Sequence, residues 1–249
     1  RSPSRGLGDV YKRQWAHGAS AFGAPARARV CAAGARAGSL EVLRWARENG
    51  CGWDARACAG AAKGGHLELL QWARANGCPW DAETCASAAV GGHLELLQWA
   101  RARRCPWDAR ACSAAARAGH LHVLRWLRAH GCPWDAHACL AAAAGGHLHV
   151  LQWARAHGCP WDAHTCSAAA AGGHLELLQW AKRAGCDWDE RALWRAALGG
   201  HAHVLRWAAA EGLRGIGTRE DVDDELHTAL TATHRYAAMG ESGHGAPAG

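Results

Sequence analysis

Residues that could carry chemistry are dense in the stretch HGCPWDAHTC, which spans 157–166 and holds two histidines, two cysteines and an aspartate. Thiolates and imidazoles are common zinc ligands, and a cysteine beside a histidine is a common nucleophile with its base. However, the C-x6-C spacing of Cys159 and Cys166 is not one of the usual zinc-ligand spacings. Three interpretations therefore stand at first: a metal site, a catalytic pair, or side chains that only pack.

Repetition of these residues along the chain favours packing. The segment GGHLELLQWA at 64–73 recurs at 91–100, and the register continues at a constant step of 27 residues. Seven copies align on Ser39, His66, His93, His120, His147, His174 and His201. All 12 cysteines fall on two phases of the repeat, and thirteen of the 15 tryptophans fall on two others. Because a catalytic centre or a single-ion site is needed only once, we interpret the cysteines as buried packing thiols and the tryptophans as core. The spacing leaves open one local contact, between Cys159 and Cys166.

Each unit reads as two helices. Asp81 is a good N-cap for a first helix over 82–90, the glycines at 91–92 end that helix, and a second helix begins near His93. The apolar positions of the second helix cover an arc of roughly 220°, which is wider than one buried face. Such a helix needs neighbours on both flanks, so the sequence predicts an all-α solenoid of helix-turn-helix units stacked side by side.

Glycine closes most of the second helices. We expect a left-handed backbone at these positions, which are Gly50, Gly77, Gly131, Gly158 and Gly185. Arg104 takes this place once, and a side chain in that conformation is expected to cost up to about 1 kcal/mol.

The unit resembles an ankyrin repeat. Cys85 falls where the family has a buried leucine in its first helix, Ala88 and Ala89 match the paired alanines, and the glycine and histidine at 92–93 match the G-H turn. The family repeat is longer by about six residues, which fall where it carries a projecting β-hairpin, so the resemblance implies a trimmed finger. It also implies an interaction scaffold, and in some families such arrays form the substrate-recognition half of ubiquitin-ligase adaptors.

The repeats are expected to span residues 28–216. We interpret 1–14 as a remnant of a sequencing adapter, since its end, DVYKRQ, resembles a translated transposon mosaic end and matches nothing downstream. Residues 15–27 read as part of a preceding repeat, 217–239 as a C-terminal capping helix, and 240–249 as a flexible tail.

The net charge and the motifs of the sequence argue against several classes of function. The net charge of +6 falls to +3 without residues 1–14, which is too weak a balance to indicate nucleic-acid binding. No apolar run is long enough to cross a membrane, and no P-loop, G-x-S-x-G or H-E-x-x-H motif occurs. We therefore expect no enzyme, no cofactor and no metal, in a monomer of the cytoplasm or nucleus, where thiols stay reduced.

A second set of histidines occurs in two adjacent copies, at His122, His130, His137, His149, His157 and His164. Other copies carry Glu, Asn, Arg or Ala there, so these histidines are expected to be exposed. A surface metal site or a pH-sensing ladder is the alternative to ordinary surface variation.

A binding surface is expected at first-helix phases that vary between copies, because the scaffold phases stay fixed. In ankyrin arrays the first helix lines the concave side. The predicted partner-binding residues are Arg56, Lys63, Glu83, Val90, Arg110, Arg117, His137, His164, Arg191 and Trp194. Early copies present basic side chains and later copies small apolar ones, which suits an acidic or mixed-charge peptide. The predicted function is a protein-interaction scaffold, with nucleic-acid binding through the basic strip as the alternative.

Overall fold

A computed structural model of the chain describes residues 24–213, with side-chain surroundings from residue 28 onward. All regular structure in this part of the chain is α-helical. The predicted adapter remnant, most of the partial repeat at 15–27, the capping helix at 217–239 and the tail lie outside the described residues.

Fourteen helices alternate between first and second members of a pair across residues 24–213. The first helices are α1 (Ala24–Arg36), α3 (Ala55–Lys63), α5 (Ala82–Gly91), α7 (Ala109–Arg117), α9 (Ala136–Ala144), α11 (Ala163–Ala171) and α13 (Glu190–Leu198). The second helices are α2 (Leu40–Glu48), α4 (Leu67–Ala75), α6 (Leu94–Ala102), α8 (Leu121–Ala129), α10 (Leu148–Ala156), α12 (Leu175–Arg183) and α14 (Ala202–Ala210).

The helices form two units, and the boundary at Ala138 and Cys139 falls inside α9. In the first unit each first helix packs on its own second helix and on the next first helix, so α1, α3, α5 and α7 are stacked in a row. In the second unit α11 packs on α13 in the same way, and each of the two packs on its second helix. The predicted side-by-side stacking of helix pairs is thus present within each unit.

Aspartate starts the first helices as predicted. The Asp81 carboxylate accepts a hydrogen bond from the backbone N–H of Glu83 at 3.0 Å, which satisfies one of the free donors at the start of α5. Equivalent bonds are made by Asp54, Asp108, Asp135 and Asp162. In α13 the Asp189 side chain makes no capping bond and instead accepts from the Ser167 hydroxyl at 2.8 Å.

The left-handed positions are confirmed. Gly77 has φ of 81° and Gly131 has φ of 78°, and Arg104 is the non-glycine residue with positive φ, at 61°. The backbone N–H of Cys105, which follows Arg104, bonds back to the Ala100 carbonyl at 3.0 Å. Arg104 therefore adopts the turn that glycine makes in the other copies, at the steric cost of its Cβ.

The buried core consists of small residues on the first helices and leucine or valine on the second helices. In α5 the residues from Thr84 to Ala89 are buried, and in α6 Leu96 and Leu97 are 2% and 0% exposed. The small first-helix residues let neighbouring backbones approach closely: a Cβ on Gly60 of α3 would lie 2.8 Å from the Ala32 carbonyl oxygen of α1.

The prediction that the tryptophans form the core is wrong in part. The buried hydrophobic residues of the described chain include cysteine, alanine, leucine and valine but no tryptophan. The repeat tryptophans are half-buried, and Trp194 is 58% exposed. Indole is too large for the narrow space between helices of alanine and leucine, so it lies at the edge of the stack with one side in water.

Candidate functional site

The thiols pair in a way that the sequence reasoning did not identify. All 12 cysteines are buried as thiols. In several copies the first-helix cysteine lies beside the cysteine twenty residues later, after the second helix of the same pair, so that Cys58 meets Cys78 and Cys139 meets Cys159. Cys166 likewise pairs with Cys186, so the partner of Cys159 is not the one that the local spacing suggested. Helix pairing, and not proximity in sequence, decides which thiols meet.

These paired thiols are poorly suited to chemistry. The hydrogen bond to the Cys78 thiol, together with burial, raises the pKa of Cys58 far above the ordinary thiol range, and the pKa values of Cys105, Cys139 and Cys166 are shifted in the same direction by the equivalent contacts. Burial raises the pKa of Cys31 to about 11. Because the thiolate is both the nucleophile and the metal ligand, the thiols with a raised pKa are inert at neutral pH. The same hydrogen bonds lower the pKa of the partner thiols Cys78, Cys85 and Cys186, but these are buried and so are shielded from reagents.

The histidines that begin the second helices connect successive pairs. The His93 ring makes no capping bond to its own helix, and its Nε2 donates to the Lys63 carbonyl at the end of the preceding first helix, at 3.2 Å. The same contact recurs from His66, His120, His174 and His201. Each imidazole therefore satisfies a helix C-terminal carbonyl of the pair before it.

The Gly-Gly turns hold these rings. A Cβ on Gly91 would lie 2.4 Å from the His93 ring, and a Cβ on Gly65 of the preceding turn would lie 2.5 Å from the same ring. The second glycine of each turn also has positive φ, 75° at Gly65. The recurrent G-G-H motif is thus a cradle for imidazole, shared between two copies, and its residues have a structural role.

The second set of histidines is exposed, as predicted, but its members have protein partners. His130 Nδ1 donates to the Trp126 carbonyl at 2.8 Å and its ring stacks on that indole, while His122 Nε2 donates to the Gly92 carbonyl at 3.3 Å. His137 lies 3.4 Å from its N-cap aspartate. His203 occupies the same repeat position as His122 but was not predicted to belong to this set. Its Nε2 donates to the Gly173 carbonyl at 2.8 Å.

No three His, Cys, Asp or Glu side chains converge as a metal site among residues 24–213. The geometry of this part of the chain therefore does not support the interpretation of HGCPWDAHTC as a metal site or as a catalytic pair.

A row of indole and guanidinium groups follows the turns between pairs. Trp80 meets Trp99 edge to face with ring centroids 5.9 Å apart, and the Arg74 guanidinium lies over the Trp80 ring at 4.2 Å. The same contact of a turn tryptophan with a preceding arginine recurs at Trp53, Trp107, Trp134 and Trp161. Arg74 also donates through Nη1 to the Cys78 carbonyl, so this arginine fixes the turn as well as covering the indole.

In the first unit a groove of about 690 Å³ crosses the first helices α1, α3 and α5. We call it the first-helix groove. Its lining residues are Ala32, Ala33, Arg36, Ala37, Arg56, Ala59, Gly60, Lys63, Glu83, Ser87 and Val90. The floor is small and apolar, three basic side chains stand around it, and Glu83 is the single acidic residue among those lining it.

Four of the ten predicted partner-binding residues line this groove together: Arg56, Lys63, Glu83 and Val90. Arg110 and Arg117 lie on α7, beyond the groove, and are exposed, as is His137 on α9. His164, Arg191 and Trp194 are exposed residues of the second unit. That the ten residues act as one surface stays a prediction.

Two of the arginines on this face are already paired. Arg56 Nη2 lies 2.6 Å from the Asp54 carboxylate, and this contact holds the pKa of Asp54 below its usual range. Arg110 lies 2.9 Å from Asp108 and 3.3 Å from Glu83, and Arg110 lowers the pKa of Asp108 in the same way. These pairs are exposed, so they fix side-chain direction more than they stabilise the fold.

In the second unit the exposed apolar residues are on α13. Trp194 and Leu198 are one helical turn apart and are 58% and 68% exposed. In other copies the position equivalent to Trp194 is taken by Ala59, Ala86 and Ser167. These residues are buried because a following first helix packs over them.

The sequence reasoning missed Arg36, Gly60 and Ser87 in the groove. Arg36 stands one period of 27 residues before Lys63, so the signal was available in the phase that gave Lys63. Gly60 and Ser87 share another phase, but small residues gave no reason to select them.

The described chain is therefore an array of ankyrin-like helix pairs, without strands where the longer repeat has its hairpin. No family model and no curated protein matches the sequence. A similar solved structure is the human ASB11 ankyrin repeat domain, with a TM-score of 0.49, 15% sequence identity, and coverage of 63% of this chain and 84% of that one. Within residues 24–213, none of the helices combines the length and the apolarity needed to cross a bilayer.

Proposed function

We propose that the chain is a non-catalytic protein-interaction scaffold that binds a segment of a partner protein along its first helices. The observation that carries this proposal is the first-helix groove, where side chains that differ between copies surround a floor of small residues. A groove of this size accommodates part of an extended peptide, and the fixed scaffold phases hold its walls in place.

The charge of the groove indicates an acidic or mixed-charge partner. Arg36, Arg56 and Lys63 line it against a single carboxylate, that of Glu83. Carboxylates of a peptide would accept hydrogen bonds from the Arg36 and Lys63 side chains, while small apolar residues would contact Ala59 and Val90.

Nucleic-acid binding is the weaker candidate because two of the three arginines that the early copies present, Arg56 and Arg110, are already paired with carboxylates. Arg56 and Arg110 each bind the N-cap aspartate two residues earlier in the chain. A phosphate backbone would need these guanidinium groups free, and the weak net charge adds little long-range attraction.

The proposal also covers catalysis, cellular compartment, oligomeric state and an adaptor role. The raised thiol pKa values and the engaged histidines support a scaffold without catalysis. The unbridged cysteines favour a reducing compartment, the cytoplasm or the nucleus, and we propose a monomer. A role as the substrate-recognition part of a ubiquitin-ligase adaptor would require an effector domain outside the repeats.

The test is a selection from a random peptide library displayed on phage, followed by affinity measurements with the enriched peptides. We expect enrichment of Asp and Glu. Replacing both basic residues, Arg36→Glu with Lys63→Glu, should weaken binding of these peptides by about tenfold or more, because two attractive contacts become repulsive.

The matched control is Arg206→Glu on α14, which reverses the charge of an exposed arginine far along the sequence from the groove. It should leave binding within about twofold, apart from a small long-range effect that salt removes. Equal losses in the control and in the groove variant, or enriched peptides without acidic residues, would reject the acidic-peptide proposal. Tight binding of an oligonucleotide with a steep salt dependence would favour nucleic acid instead.

A further inference from the structure

A second groove in the first unit lies along the second helices α4 and α6, and it differs in character from the first-helix groove. It has a volume of about 530 Å³. We call it the indole groove. Its lining residues are Gln71, Arg74, Ala75, Trp80, Trp99 and Arg103. Two guanidinium groups and two indoles thus face one concavity, and no carboxylate is among the residues that line it.

The chain departs from its own repeat at the rim of this groove. Four other copies end the second helix with Asn-Gly or His-Gly, at 49–50, 76–77, 130–131 and 157–158, and two have another residue before the glycine, whereas this copy has Arg103 and Arg104. Both arginines are exposed. This copy therefore carries two extra positive charges, one on Arg103, which lines the groove, and one on the residue that follows it.

Arg103 replaces a residue that, in four other copies, bonds to a carbonyl of its own helix. The Asn76 side chain donates to the Trp72 carbonyl at 2.8 Å, and the His130 ring does the same to the Trp126 carbonyl. The Arg103 guanidinium instead lies over the Trp99 ring at 4.4 Å, facing the groove.

Arg104 adds a strained backbone to this lost cap. Its φ of 61° lies in the region that glycine occupies in the equivalent copies. Residues that break the local rules of a fold without a structural gain are most often found at functional sites. Two such residues occur together here, and the first of them, Arg103, lines the aromatic groove.

We propose that the indole groove is a second binding site, which takes an acidic segment of a protein partner. Carboxylates of the segment would accept hydrogen bonds from Arg103 and Arg104, and an adjacent apolar side chain, such as proline, would pack against Trp80 and Trp99. Arg74 is held in place by its bond to the Cys78 carbonyl and by its stacking on Trp80, so its positive charge is fixed beside the site.

The ring geometry favours a peptide over single-stranded nucleic acid. Trp80 and Trp99 meet at an interplanar angle of 73°, so that the edge of one ring covers the face of the other. Arg74 lies over the Trp80 ring and Arg103 over the Trp99 ring. The arginines therefore take the ring faces on which a nucleobase would stack, whereas a proline can pack against the ring edges and carboxylates have access to the guanidinium groups.

The test uses the full chain and a fluorescein-labelled peptide of alternating glutamate and proline, with binding followed by fluorescence anisotropy. The variant is Arg103→Asn with Arg104→Gly, which installs the pair found at 76–77. We expect it to bind the peptide about tenfold more weakly than the parent chain. Its thermal midpoint should be equal or higher, because the helix cap returns and the strained residue is removed.

The control variant is Arg195→Ala with Arg206→Ala, which removes two positive charges from exposed residues of the second unit and should change the affinity for this peptide by less than about twofold. An equal loss in both variants would show that the peptide responds only to general charge, and would overturn the site. Three other results would also overturn the site. These are an unchanged peptide affinity in the Arg103 and Arg104 variant, a lower thermal midpoint in the same variant, and a parent chain that does not bind the peptide. Tighter binding of a thymidine oligonucleotide, lost in the same variant, would replace the peptide with nucleic acid.

Discussion

Replacing Arg104 by glycine should stabilise the protein. Arg104 has φ of 61°, and a side chain in this region brings Cβ close to the following carbonyl oxygen. That contact costs about 1–2 kcal/mol, and the greater freedom of glycine in the unfolded chain returns part of it. The net gain expected for Arg104→Gly is about 0.5–1 kcal/mol in the free energy of unfolding.

Two further variants isolate the backbone effect from the loss of charge. Arg103→Ala removes the same charge from the adjacent residue, whose φ is −102°, so it should bring no gain and should lose the contact with Trp99. Gly77→Arg creates the strained residue in another copy, where φ is 81° and a Cβ would meet nothing within 4 Å. It should lose about 1 kcal/mol.

The assay is equilibrium unfolding in urea, followed by circular dichroism at 25 °C, with the thermal midpoint as a second measure. A gain of this size corresponds to a shift in the thermal midpoint of about 1–4 °C for a chain of this length. If Arg104→Gly proves no more stable than Arg103→Ala, or if Gly77→Arg costs nothing, the left-handed backbone is not a source of strain, and the reasoning is refuted.

Three further predictions concern the core, the Gly-Gly turns and the thiols. Thr84 is buried with no hydrogen-bond partner for its hydroxyl, so Thr84→Val should raise the free energy of unfolding by about 1 kcal/mol in urea titrations. Gly65→Ala should cost about 2 kcal/mol or more in the same assay, because it forces a side chain to positive φ and against the His93 ring, whereas Gly77→Ala, in open space, should cost only about 1 kcal/mol. In the folded chain the pKa of the Cys31 thiol is raised to about 11, so folding favours its protonated form. This contribution to the free energy of unfolding is fully present below the ordinary thiol pKa and is lost as pH rises toward 11. The free energy of unfolding, measured between about pH 8 and 10.5, should therefore begin to fall near pH 9 and approach a loss of about 1.4 kcal/mol per pH unit, the slope for one proton, by about pH 10.

Each of these three predictions has an outcome that would contradict it. A destabilised Thr84→Val variant would mean that the hydroxyl has a partner in solution. Equal costs at Gly65 and Gly77 would show that the imidazole moves aside freely. A flat profile above pH 9 would mean that the thiols ionise as readily in the folded chain as in the unfolded one.

The repeat period, the helix pairs and their caps follow from the sequence alone. Asp81 as an N-cap and Gly77 as a left-handed residue depend on contacts within a few residues, and local rules are enough to place them. Seven copies of the same pattern remove the ambiguity that one copy would leave, and they also show that cysteine and histidine are structural.

Contacts between residues far apart in the sequence could be assigned only from the tertiary structure. The bond from His93 to the Lys63 carbonyl, the pairing of Cys58 with Cys78 and the grouping of Arg36 with Glu83 in one groove join residues twenty or more positions apart. Periodicity says which side chains are equivalent, but it does not say how far one helix pair is rotated and shifted on the next. That geometry is set by the volumes that meet between the helices, where alanine and glycine on one side and leucine on the other leave room for sulfur inside and for indole only at the edge.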